Sequence, residues 1–235
     1  MEKAKLTEAQ KKLDIDLWII IITTLTMLGV YMIFNQQLMM TSKNDSIHIL
    51  LRVLLFAAFQ FGVAGLGITV VSVLRKESFC SHGLRKKGAF LSIILCGICC
   101  MPHLVFMFTA GQVTSYLPFQ SVNLTGEVLA SGFPVNLFGM AITIIAWGFF
   151  EGFNYVVISD KINERYPSKN KWLNWGAFSC AVMCILVHGA IGITPDAIIE
   201  MLCIMFLIYG MLIVRERTGN AWGCIAVFVL FWNAF

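Results

Sequence analysis

A single carboxylate interrupts the apolar segment WGFFEGFNYVV. Glu151 lies there among phenylalanines, in a stretch that is almost entirely apolar from Leu137 onward. Asn154 and Tyr155 follow it at the spacings that place side chains on one helix face. A carboxylate in such a place could activate a water or bind a cation. Alternatively, it is protonated or hydrogen-bonded between helices and only fixes their packing.

Two histidines occur in similarly apolar surroundings. His188 ends the run VMCILVHGAIG, where it shares a helix face with Cys180 and Cys184, and His103 follows Pro102. A Cys/Cys/His face would suit a soft metal, but one helix offers poor tetrahedral geometry, so metal binding stays open. The alternative is a buried histidine whose hydrogen bonds are satisfied.

The composition determines which solvent surrounds these residues. Hydrophobic residues make up 58% of the 235-residue chain and charged residues 13%, whereas soluble domains are about 25% charged. The chain lacks the residues for a polar exterior, so we predict an all-α, polytopic integral membrane bundle. An ionisable side chain within a membrane helix costs about 2.5–3.5 kcal/mol on insertion scales, and such residues usually face the protein interior.

Hydropathy predicts about seven transmembrane helices. A preceding cytoplasmic tail occupies residues 1–16, and residues 17–235 form one membrane domain. Each span needs about 20 apolar residues to cross the bilayer, which most of the seven contain. The predicted spans are Leu17–Phe34, Ile49–Leu74, Gly88–Phe108, Asn136–Ile158, Trp172–Ile193, Ala197–Val214 and Ala221–Phe235.

Basic residues predict the orientation. Fifteen of the 17 lysines and arginines fall in the N-terminal tail or in loops on the same side of the predicted bundle. The positive-inside rule then places the N-terminus in the cytoplasm and the C-terminus outside, in the cell membrane. The net charge of +4 is mostly this topology signal, so we expect the lipid bilayer as partner and no nucleic acid. No phosphate-binding or dinucleotide motif is present, and we expect no cofactor.

Stretches within residues 79–235 resemble, in order, motifs of the CPBP family, the membrane proteases related to the CAAX prenyl endopeptidase. HGLRKKG resembles the family's basic loop, and WGFFEGFNYVV partly resembles its EExxxR helix. SCAVMCILVHGA resembles its FxxxH helix, and RTGNAWGCIAVFVLFWNAF resembles a TGxxW turn followed by HxxxN. The chain departs from these motifs at several positions. Phe150 and Gly152 flank the single glutamate, Cys184 replaces the phenylalanine, and Val229 replaces the last histidine.

The resemblance implies an intramembrane endopeptidase acting on a peptide or a membrane protein. Glu151 would activate a water, His188 would assist it, and Asn233 would stabilise the oxyanion, without a cofactor. The predicted span ends, however, place Glu151 and His188 at depths that differ by roughly 13 Å. Two alternatives stay open: a catalytically inactive member of the family that acts as a membrane scaffold or immunity partner, and a small transporter or channel subunit.

Overall fold

The computed structural model describes residues 6–113, 115–170, 173–189 and 191–235. Every regular element in these ranges is helical. A 3₁₀ turn at Phe79–His82 and two π-helical segments, Ile144–Phe150 and Phe228–Trp232, accompany the α-helices. The α-helices are α1 (Glu8–Ser42), α2 (Ile49–Ala64), α3 (Leu66–Arg75), α4 (Ala89–Thr109), α5 (Thr125–Ala130), α6 (Val135–Thr143), α7 (Glu151–Arg165), α8 (Trp175–Val187), α9 (Pro195–Thr218) and α10 (Trp222–Val227).

Four helical segments in the described ranges are long and apolar enough to cross a membrane. They are α1, α4, α9 and the continuous stretch Val135–Arg165, and the pair α2–α3, bent by 57°, makes a fifth if it is one span. The prediction of a helical membrane protein is therefore confirmed, but the count of about seven is not supported. Helix α8 has 13 residues, which at 1.5 Å each extend about 20 Å. A hydropathy window registers such an apolar run without measuring its helical length.

Several predicted span boundaries are wrong. The second span is two helices that meet at Gly65, and the fourth continues to Arg165 instead of ending at Ile158. The predicted fifth span includes Trp172 and Ala190, which lie outside the described residues.

The predicted tail and first span form one helix from Glu8 onward. Thr7 caps this helix, since its side chain accepts a hydrogen bond from Gln10 N at 3.2 Å while the Gln10 side chain accepts from Thr7 N. Residues 1–5 of the predicted tail lie outside the described residues.

Helix α7 lies at the centre of the bundle. Its residues from Glu151 to Ser159 are all buried, and it packs against α1, α8 and α10. Gly152 allows the contact with α10, because a Cβ at this position would lie 2.9 Å from the carbonyl oxygen of Cys224. Small residues commonly permit such close helix approach in membranes.

An ion-pair network joins the helix ends at one end of the bundle. Lys161 on α7 contacts Asp16 at 3.1 Å and Glu77 at 2.8 Å, and Arg75 also pairs with Asp16 at 2.7 Å. Burial opposes ionisation of Glu77, but the hydrogen bond and charge of Lys161, together with His82, lower its pKa below the ordinary value. The network thus holds α1, the end of α3 and α7 together.

The opposite end is formed by the residues after α1 and by the C-terminus. The Arg52 guanidinium pairs with Glu127 at 3.0 Å, which ties α2 to α5. The C-terminal residues join the same end, because Leu117 N donates to the carbonyl oxygen of Ala234 at 3.1 Å. These contacts bring the start of α2, helix α5 and the C-terminal residues together at one end of the bundle.

Candidate functional site

Glu151 and His188 meet inside the bundle. Nε2 of His188 lies 3.6 Å from Oε1 of Glu151, and Gln60 Nε2 donates a hydrogen bond of 2.9 Å to Oε2 of the same carboxylate. Gln60 belongs to α2, Glu151 is the first residue of α7, and His188 directly follows α8. The separation of 3.6 Å exceeds ordinary hydrogen-bond distance, so a small shift or a shared water would couple the two groups.

The predicted difference in depth between Glu151 and His188 is wrong. Helix α7 continues to Arg165 and α8 begins at Trp175. Measured from these ends, the two residues lie about 21 Å and about 20 Å along antiparallel helices. The error arose because the charged last turns of α7 were assigned to a loop, although they are helical and held by ion pairs such as Arg165 with Asp14.

The polar face predicted on α7 opens into a cavity. Glu151, Asn154 and Tyr155 are all less than 10% exposed, and all three line this cavity. The carboxylate thus lies in a largely apolar environment, where its polar contacts carry more weight than they would in water.

The cavity lies between α1, α2, α7 and α8 and has a volume of about 1290 Å³. This exceeds the roughly 300–1,000 Å³ that is usual for small-ligand pockets. Apolar side chains of α1 and α8 flank it, and several of them are exposed, among them Leu25 and Val187. The cavity is therefore a groove with space for an extended, partly apolar molecule.

Asn233 lines the same cavity. Its Oδ1 lies 3.4 Å from the Ser121 hydroxyl, and its backbone carbonyl accepts from Ser121 N at 3.2 Å. The buried Nδ2 of Asn233 has no hydrogen-bond partner among the described residues. Asn233 therefore lines the groove with an unused amide donor, and an oxyanion site requires such a donor.

Two π-helical segments precede the site residues. Ile144–Phe150 ends immediately before Glu151, and Phe228–Trp232 ends immediately before Asn233. The two segments are in contact, because a Cβ on Gly148 would lie 2.5 Å from Cγ2 of Val229. Such π-helical turns are frequent at functional sites, and here they set the directions in which two cavity-lining side chains leave the backbone.

His103 lies outside this cavity. Its ring stacks on Trp232 with centroids 6.3 Å apart, and the His188 ring contacts the same tryptophan at 5.1 Å. Both histidine rings therefore contact Trp232. Nδ1 of His103 is buried without a partner in the part of the chain that the structure describes.

The Cys/Cys/His face of α8 does not assemble as a metal site. Cys180 and Cys184 are fully buried in the core, where Cys180 Sγ lies 3.5 Å from the Tyr155 carbonyl oxygen, whereas His188 is 38% exposed at its side chain. Over the described ranges, no group of three or more His, Cys, Asp or Glu side chains is placed to hold a metal ion.

Gln60 was missed by the sequence analysis. It is a polar side chain within ILLRVLLFAAFQFGVA, the apolar sequence of α2. Attention to neutral amides in apolar helices, and not only to ionisable residues, would have identified it. Its contact with Glu151 spans 91 positions of the chain, however, and no local pattern indicates such a pairing.

Comparison of the chain with protein-family models, with curated proteins and with solved structures gives no match in any of the three. The resemblance to the CPBP family stays a prediction that rests on the quoted sequence motifs.

Proposed function

We propose that the protein is an intramembrane endopeptidase of the CPBP type, in which Glu151 activates a water for peptide-bond hydrolysis. The observation that carries this proposal is the approach of Glu151 and His188 to 3.6 Å inside a groove that Asn233 also lines. A carboxylate, an imidazole and an amide donor around one cavity are the groups that general-base catalysis with oxyanion stabilisation requires.

The reaction follows from these positions. Oε1 of Glu151 accepts a proton from the water while the water oxygen bonds to the carbonyl carbon of the peptide. Nε2 of His188 hydrogen-bonds to the same water and orients it, and Asn233 Nδ2 donates to the developing oxyanion. When the carbon–nitrogen bond breaks, the leaving amine takes the proton from Glu151, and the free carboxylate is restored.

The orientation in the membrane is part of the proposal. We place the end with the Lys161 network in the cytoplasm, because it carries most of the basic residues, and the C-terminus outside. Helices α8 and α10 are short for full spans. We propose that both lie within the bilayer beside the long helices, which retains seven membrane segments.

Cleavage of peptides by the purified protein in liposomes tests the activity. A pool of internally quenched fluorescent peptides, with and without a farnesylated C-terminal cysteine segment, serves as substrate. Glu151→Gln and His188→Ala are each expected to lower cleavage by about 10²-fold or more. The matched control is Glu200→Gln, the same substitution on α9 outside the groove, and it should cleave like the wild type.

Mass-spectrometric analysis of new protein N-termini gives a second readout that needs no chosen substrate. Membranes from cells expressing the wild type are compared with membranes expressing Glu151→Gln. The proposal fails if neither the peptide pool nor the membrane proteins are cleaved in a way that depends on Glu151.

A second candidate is a non-catalytic member of the same family that binds a membrane protein through the groove. The packing of Val229 favours it. Where the family motif has histidine, this valine packs against Gly148, so apolar packing occupies the position. Retention of a peptide on the liposomes without cleavage, unaltered in Glu151→Gln, would support this candidate over hydrolysis.

A further inference from the structure

The two oxygens of the Glu151 carboxylate have different neighbours. Oε2 accepts the hydrogen bond from Gln60 at 2.9 Å, and Oε1 faces His188 at 3.6 Å. The carboxylate is 7% exposed, so these contacts, and not bulk water, determine how it is oriented. The terminal torsion of a glutamate is broad and roughly two-fold, which means that a partner is needed to fix it.

The hydrogen bond also determines the orientation of the Gln60 amide. A carboxylate only accepts hydrogen bonds, so the NH₂ group of the amide must point toward it and the carbonyl away from it. Because the amide is neutral, it holds the oxygen without supplying a second titrating group. Gln60 itself is half-buried on α2, which packs against the π-helical segment before Glu151 and against α7.

The positions on either side of Glu151 carry no second carboxylate. Phe150 and Gly152 occupy the positions next to Glu151, and Phe150 packs its ring on Phe61 of α2 with centroids 4.8 Å apart. Phe61, the neighbour of Gln60, therefore packs α2 against the π-helical segment. This packing sets the position from which the Gln60 amide reaches the Glu151 carboxylate.

We infer that Gln60 is the positioning residue of the site: its amide holds Oε2 so that Oε1 stays directed at His188 and at the position where a water can contact both groups. This inference rests on the proposed hydrolase function. Gln60 acts through Glu151 and does not touch the substrate's reacting atoms, so its loss should lower kcat and leave KM nearly unchanged.

Nuclear magnetic resonance of the four histidines tests the geometry without a substrate. The protein is labelled with ¹⁵N-histidine and reconstituted in nanodiscs, and His188→Gln identifies the His188 signal. Glu151→Gln should shift that signal because it replaces the facing carboxylate with an amide. Gln60→Leu should shift it in the same direction, and the matched control Gln37→Leu, an exposed residue of α1, should leave it in place.

Peptide cleavage supplies the second arm. Gln60→Leu should lower kcat by about 10- to 100-fold, which corresponds to losing one hydrogen bond to a charged group, with KM within a factor of two of the wild type. Gln60→Asn, whose amide is one carbon shorter, should behave in the same way and serves if the leucine variant does not fold.

The outcomes separate the two proposals. If the His188 signal does not shift in Gln60→Leu, the role of Gln60 is overturned. The same holds if both Gln60 variants keep the kcat of the wild type while Glu151→Gln is inactive. Either outcome leaves the hydrolase proposal standing. Cleavage that survives in Glu151→Gln overturns the hydrolase and with it the catalytic part of the Gln60 role. The histidine spectra then decide whether Gln60 orients the carboxylate at all.

Discussion

Replacing Gly152 by alanine should separate α7 from α10. The added Cβ would lie 2.9 Å from both the Cys224 carbonyl oxygen and the Ile225 Cα. Both are backbone atoms, so no side chain can rotate away. Because favourable contacts lie near 3.5–4.0 Å, α10 must move by about 0.5–1 Å. Overpacking of this kind costs about 1–3 kcal/mol.

The matched control is Gly29→Ala in α1. Nothing lies within 4 Å of the Cβ that it would add. Both substitutions exchange the same residues inside a helix, so the change in intrinsic helix propensity is common to the two variants. The difference between them isolates the contact with α10. For a chain of this size, about 1–3 kcal/mol corresponds to a melting temperature roughly 2–12 °C lower in Gly152→Ala than in Gly29→Ala.

The buried cysteines provide the assay. A fluorogenic maleimide reacts with thiols as they become exposed on heating, and a Cys80→Ser background removes the exposed thiol that would react before unfolding. The buried reporters are Cys96, Cys100, Cys180, Cys184 and Cys224. Equal melting temperatures for the two glycine variants would refute the close packing of α7 on α10, and with it the geometry that places Glu151.

Two further predictions concern the ion-pair network and use the same melting assay. Lys161→Met should lower stability by about 2 kcal/mol, because it removes from Asp16 and Glu77 the hydrogen bonds of a cation that is only 3% exposed, while Arg75 stays paired with Asp16. Lys169→Met, which replaces an exposed lysine, should change little, and equal melting of the two variants would contradict the network. Because the pKa of Glu77 is lowered in the folded protein, its contribution is present above the ordinary value of 4.5 and is lost as the pH falls below it. The wild type should therefore lose stability below about pH 4.5 more steeply than Glu77→Gln, and parallel curves for the two proteins would exclude this contribution.

Part of the fold was predictable because it follows from local composition. Apolar runs longer than about 18 residues between polar segments indicate membrane helices whatever their tertiary arrangement, and α1, α4 and α9 follow this rule. Helix lengths were less predictable. The end of α7 is charged, and the structure shows that it continues as a helix to Arg165, which pairs with Asp14 of α1.

The candidate site divides in the same way. The sequence by itself determined which side chains were unusual, because a carboxylate or an imidazole in an apolar run is costly wherever it lies; Glu151 and His188 were found for that reason. Only the tertiary structure decided that these two residues meet, that Asn233 lines the same groove and that Gln60 holds the carboxylate. These contacts join distant positions of the chain, and they depend on helix ends and π-helical turns that are fixed by packing between helices and not by the residues of any one helix.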